Sequence, residues 1–200
     1  VNLITNSPLT VADDIVSEEG FIILTASEDA GAGDDLTIEA DVFIDSTLGF
    51  VTLRAGDNIS IGTGASITAL TDLLIEGDFE SNDAGIGSVI DIQGSLAAAT
   101  ITINSGDESD QLTLQSVSSD TIISINTGAG TDAVLFEDNV TGTDISVDLG
   151  DGNNQLDLAA DKTLTSTTFS LSSGTGNDVL TFAGALNSSG TLDIITGAGN

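Results

Sequence analysis

Ile123-Ser-Ile125, Gly128-Ala-Gly-Thr-Asp132 and Val134-Leu-Phe136 form a phrase that the chain writes again at once as Ile145-Ser-Val147, Gly150-Asp-Gly-Asn-Asn154 and Leu156-Asp-Leu158. A third version runs Phe169-Ser-Leu171, Gly174-Thr-Gly-Asn-Asp178 and Leu180-Thr-Phe182. An earlier one is Ile101-Thr-Ile103, Gly106-Asp-Glu-Ser-Asp110 and Leu112-Thr-Leu114. Each row is an alternating apolar triplet, a glycine turn and a second alternating triplet. Strict alternation places every other side chain on a buried face, the signature of a strand packed on one side.

The register extends toward residue 1 with looser corners. Val51-Thr-Leu53 leads to Ile59-Ser-Ile61, Leu73-Leu-Ile75 to Ile90-Asp-Ile92, and Phe21-Ile-Ile-Leu24 to Leu36-Thr-Ile38. The second apolar residue of each first strand falls at 24, 53, 75, 103, 125, 147, 171 and 194, so one row takes 22–29 residues. Both long rows gain their length between the first and second strands, at Thr25–Asp35 and Glu76–Val89. Insertions confined to one corner are what a stack of coils tolerates, because that corner faces solvent. A weaker third element follows in each row, at Val42/Ile44, Ile67, Leu96, Val117, Val140, Leu164 and Leu186. Three short strands and three corners account for such a row. Because connections between parallel strands are right-handed, the expected fold is all-β: a right-handed parallel β-helix (β-solenoid) of about eight coils. Residues 1–20 are expected to be an N-terminal cap or lead-in. Residues 21–200 are expected to form one solenoid domain, an excerpt of a longer array.

Composition narrows the partners. Thirty-two acids face only Arg54 and Lys162, a formal net charge of −30. Nucleic acid is excluded, since nothing neutralises phosphate. Membrane insertion is not expected either, because the apolar runs are only a few residues long. Such a surface attracts divalent cations. Cysteine is absent and sets no redox compartment. The aromatics are seven Phe, without Trp or Tyr; Phe136, Phe169 and Phe182 are read as core.

The corner between the first and second strands is the candidate site. In stacked coils equivalent residues lie one strand spacing apart, about 4.8 Å. Asp110, Asp132, Asn154 and Asp178 are therefore expected in a column on the edge of the stack. Two carboxylates at that spacing repel by about 3 kcal/mol at an effective dielectric of about 20. A hard cation such as calcium, with turn carbonyls as further ligands, would remove that penalty; the alternative is a solvated acidic turn.

Gly128–Phe136 and Gly174–Phe182 resemble the calcium-binding nonapeptide of RTX proteins, a glycine turn followed by Asp and a short strand. Gly56-Asp-Asn-Ile-Ser-Ile-Gly-Thr-Gly-Ala-Ser-Ile-Thr-Ala69 resembles repeats of filamentous-haemagglutinin-type adhesins. The first resemblance covers residues 100–200 and the second residues 21–99. The chain departs from the RTX pattern: Thr127, Leu149 and Ser173 stand where a doubled glycine would, and the motif occurs once per coil. The resemblances imply a secreted bacterial protein of the cell surface or a filament, with neighbouring coils or copies of itself as partners. A glycan- or ice-binding module and a polysaccharide-degrading enzyme remain as alternatives. The enzyme is disfavoured because the chain has one Arg, one Lys and no sugar-stacking Trp or Tyr, and no catalytic residue is assigned.

Overall fold

The computed structural model describes residues 1–6, 8–28, 33–80, 85 and 87–199. Among them there is no helix; every paired strand runs parallel to its neighbours. The chain is a β-solenoid of eight three-stranded coils, followed by the opening strand of a ninth.

The first strands stack as Leu3, Leu24, Leu53, Ile75, Ile103, Ile125, Val147, Leu171 and Ile194, each directly paired with the next. The second strands stack Leu36, Ile59, Ile90, Leu112, Val134, Leu156 and Leu180. The third column runs Ile15, Ile44, Ile67, Leu96, Val117, Val140, Leu164 and Leu186. All three columns meet in one core; Leu3 and Ile194, at the two ends of the first column, are exposed. No single coil could offset the entropy of ordering its own residues; burial comes from the coils above and below.

Residues expected as a cap or lead-in contain three strands of their own, Asn2–Thr5, Leu9–Val11 and Ile15–Ser17, each paired in parallel with coil two. They form a coil and do not lie across the end of the stack. Of the inward residues expected from the sequence, Phe136 and Phe169 are fully buried. Phe182 is half-buried and meets Phe169 edge to face, centroids 6.4 Å apart. It lies in coil eight, where no further second strand covers it within the described residues.

The two cations brace neighbouring coils. Arg54 and Glu76 are register partners and form an ion pair, with the Arg54 guanidinium 4.8 Å from the Phe79 ring centre. Lys162 Nζ donates to Asp138 at 2.9 Å.

Candidate functional site

Gly128, Gly150 and Gly152 show why the corner must be glycine. All three have positive φ, at 74°, 60° and 148°. A Cβ on any of them would overlap a carbonyl oxygen of the preceding coil, that of Gly106, Gly128 or Gly130 respectively. Turns stacked this closely bond to one another through the main chain: Gly130 N donates to Asp151 O at 2.9 Å and Gly152 N to Thr175 O at 2.8 Å. The glycines thus let one turn lie flat on the next.

Two residues before the first inward residue of each second strand stands the column expected from the sequence. Asp110, Asp132, Asn154 and Asp178 do stack coil on coil. They are not on the solvent edge: Asp110, Asp132 and Asn154 are each 1% exposed, and only Asp178, in the last full coil, is partly open. The physical reason is parity. Asp110, Leu112 and Leu114 lie at alternate positions, so the carboxylate shares the inward face of its strand.

There it has a defined task. In coil three the N–H at this position meets a carbonyl, Asp57 N donating to Asp34 O at 3.2 Å; in coils four to seven it does not, and a buried N–H must find a partner. The side chain one coil further on supplies it. Ser88 N donates to Asp110 Oδ1 at 2.6 Å and Asp110 N to Asp132 Oδ1 at 2.9 Å. Asp132 N donates to Asn154 Oδ1 at 2.9 Å and Asn154 N to Asp178 Oδ1 at 3.0 Å. The carbonyls of the same residues return to the ladder: Ala133 N donates to Asp110 O at 2.9 Å and Gln155 N to Asp132 O at 2.7 Å. Three members went unnoticed in the sequence. Asp57 accepts from Asp34 N at 2.8 Å, and Ser88 occupies the same position in coil four. Counting two residues back from Leu36, Ile59 and Ile90 would have found all three.

In coils five, six and seven the second polar atom of the column side chain meets the residue two past the first-strand column. In coil six Thr127 Oγ1 donates to Asp132 Oδ2 at 3.0 Å. In coil five Ser105 takes that place; its hydroxyl lies beside Asp110 Oδ2 without closing a hydrogen bond of good geometry. In coil seven the column residue is an amide, which brings its own donor: Asn154 Nδ2 donates to Leu149 O at 2.9 Å and Gly150 O at 3.1 Å. A hydroxyl there would be redundant, and Leu149 stands in its place.

Burial sets the electrostatics. Desolvation pushes the Asp110 carboxyl up to about 6; the bonds from Ser88 and the nearby Ser105 hydroxyl oppose the shift and the neighbouring Asp132 charge adds to it. Desolvation likewise raises Asp132, against the bonds from Asp110 N and Thr127.

The ligand chemistry of the column was tested against calcium. Calcium needs several oxygens facing one point. Here each Oδ1 already accepts a main-chain N–H, and Asn154 directs N–H groups at two turn carbonyls. The bonds fit a hydrogen-bond ladder better than an ion cage. Among the described residues no cluster of three or more acidic side chains is arranged to hold a metal ion, and no helix is long and apolar enough to cross a membrane.

Comparison with family models, curated proteins and solved structures gives no match for this chain.

Proposed function

We propose that the chain is a structural segment, a rigid acidic spacer, of a secreted bacterial surface or filament protein, adhesin-like in role and without catalysis of its own. One observation supports this most directly: the polar side chains of the glycine corner, where chemistry was first sought, spend their hydrogen bonds joining coil to coil. An unbroken register along three columns, at about 4.8 Å per coil, gives a body about 40 Å long. Its acidity keeps the surface solvated and repels like-charged neighbours. Placement outside the cell is drawn from the resemblance to adhesin and RTX repeats.

The test is a coil deletion. Removing residues 123–144 splices Ile122 to Ile145 in register, since Ile123 and Ile145 are direct partners. A spacer keeps its fold and becomes one coil shorter, measured by circular dichroism and small-angle scattering. Antibody should label the parent protein on intact cells of its source. Labelling that needs permeabilised cells would remove the extracellular part of the reading, and collapse on loss of one coil would remove the spacer part.

Calcium belongs to this reading as a stabiliser of the corner, with Asp110, Asp132, Asn154 and Asp178 as its ligands. The raised carboxyls of Asp110 and Asp132 favour it, because an ion would relieve their burial. The bonds they already make weigh against it.

A further inference from the structure

A groove runs the length of the solenoid where third strands turn into first strands. From Asp45–Thr47 in coil two to Asn187–Ser189 in coil eight, every coil contributes the same three positions to its lining. It consists of two cavities of about 270 and 670 Å³, which share Ser118 and Asp120 and so join end to end.

We infer that this groove binds a neutral linear polysaccharide laid parallel to the solenoid axis. The inference goes beyond the spacer reading and does not depend on it.

The first argument is pitch. The groove crosses the strands, so its lining repeats once per coil, about every 4.8 Å. An extended polypeptide advances about 3.3 Å per residue, so its neighbouring residues fall between coils and only about every third meets an equivalent position, two coils on. A pyranose ring in an extended chain is about as long as one coil step, so successive sugars meet equivalent side chains.

The second argument is chemistry. Thr141, Thr165 and Asn187 are register partners, all exposed on the groove wall. Among the described residues their side chains have no hydrogen-bond partner, and they both donate and accept, as sugar hydroxyls require. Further along, Leu70, Ala97 and Ala99 offer an apolar strip suited to the C–H face of a ring. Asp45 and Asp120 are the charged residues of the lining. With a formal net charge of −30 around them, polyanionic chains are repelled and neutral ones are not.

The third argument is one unsatisfied hydroxyl. Ser119 and Ser188 each have two carbonyl oxygens within donating reach of the hydroxyl, at 2.7 and 2.9 Å in both cases. Ser166, at the same position of coil seven, lines the larger cavity at 5% exposure with its Oγ unpartnered. A buried hydroxyl without a partner is costly, and a ligand hydroxyl entering the groove would relieve it.

Affinity gels containing dextran, mixed-linkage β-glucan or galactomannan test this, with alginate as the polyanion. At least one neutral polymer should retard the protein and alginate should not. Oligosaccharides of the retarding polymer should gain affinity with length up to about seven sugars, one per contributing coil, then level off. Combining Thr141→Val, Thr165→Val and Asn187→Leu should lower affinity at least tenfold with an unchanged melting temperature. Thr113→Val with Thr181→Val, on the outward face of the second strands, should leave it intact. Retardation by none of the three neutral polymers, equal retardation by alginate, or equal loss in the control pair would each overturn the inference.

Discussion

Asp110→Asn should make the protein more stable at neutral pH, although it alters a buried, hydrogen-bonded residue. Burial pushes the carboxyl up to about 6 in the folded chain, against an ordinary value of 3.8. A raised carboxyl binds its proton more tightly when folded, so stability falls as pH rises from about 4 to about 6 and stays lower above that. The difference is 6 − 3.8, about 2 units, which at about 1.4 kcal/mol per unit amounts to roughly 3 kcal/mol at pH 7. Asparagine removes the charge and keeps the acceptor for Ser88 N. Its amide can use carbonyls at the places where Asn154 finds Leu149 O and Gly150 O two coils further on. A gain of this size corresponds to roughly 6–12 °C in a chain of this length. The chain lacks Trp and Tyr, so unfolding is best followed by far-ultraviolet circular dichroism or calorimetry. The comparison is wild type against variant at pH 7.5 and pH 5. The gap should be large at pH 7.5 and shrink toward pH 5, as wild-type Asp110 takes up its proton. Using the difference cancels the general relief of acidic repulsion that both proteins feel. An Asn variant less stable than wild type at pH 7.5, or a gap that does not change with pH, would refute the account of the buried carboxylate.

Two further outcomes are expected. Gly152→Ala places a side chain at φ 148° and onto the Gly130 carbonyl, costing roughly 1–3 kcal/mol for the backbone alone; Gly20→Ala, where the nearest atom is Ser17 Oγ at 3.8 Å, should stay near wild type in the same urea melts. For calcium, Asp132→Ala and Asp132→Asn separate the two uses of the column. If the ladder is the whole story, Ala destabilises by about 1–3 kcal/mol by orphaning Asp110 N–H, Asn does not, and neither protein's melting temperature responds to calcium; a calcium-dependent rise in wild type, lost in both variants, would establish the ion instead.

The columns were legible because a solenoid writes its fold into a period. Alternation at Ile123-Ser-Ile125 gives the face, and repetition at Ile145-Ser-Val147 gives the partner. The structure pairs Ile123 with Ile145 and Ile125 with Val147. Leu3-Ile4 and Val11 were harder to place. Their row lacks the glycine turn that marks later ones. The groove as a whole was not legible. Its positions are mostly Thr, Ser and Ala, common on any strand, and only the stacking of seven coils makes them one surface.

The corner shows how a correct alignment can still mislead about direction. Asp110, Asp132, Asn154 and Asp178 were aligned correctly, and their acidity and the glycines before them suggested an outer edge. The alternation already used for Leu112 and Leu114 reaches back one step further and puts the Asp inside. Burying an acid is unfavourable unless it is bonded, and the sequence holds the sign that it is. Where the column residue is Asp132, the position five before it is Thr127, a donor for the second oxygen. Where it is Asn154, which donates for itself, that position is Leu149. Solvated turns would not couple those two choices, nor would an ion cage, since an ion would favour oxygen at both. A main-chain donor that must be satisfied in each of coils four to seven, in a core that otherwise stays apolar, does couple them. The same demand accounts for Ser88 in coil four, which passes its own N–H to Asp110 and turns its hydroxyl to the Ser105 carbonyl at 2.9 Å. In coils four to seven the flat glycine turns leave one N–H without a carbonyl to meet it, and the column side chains of coils five to eight are there to accept it.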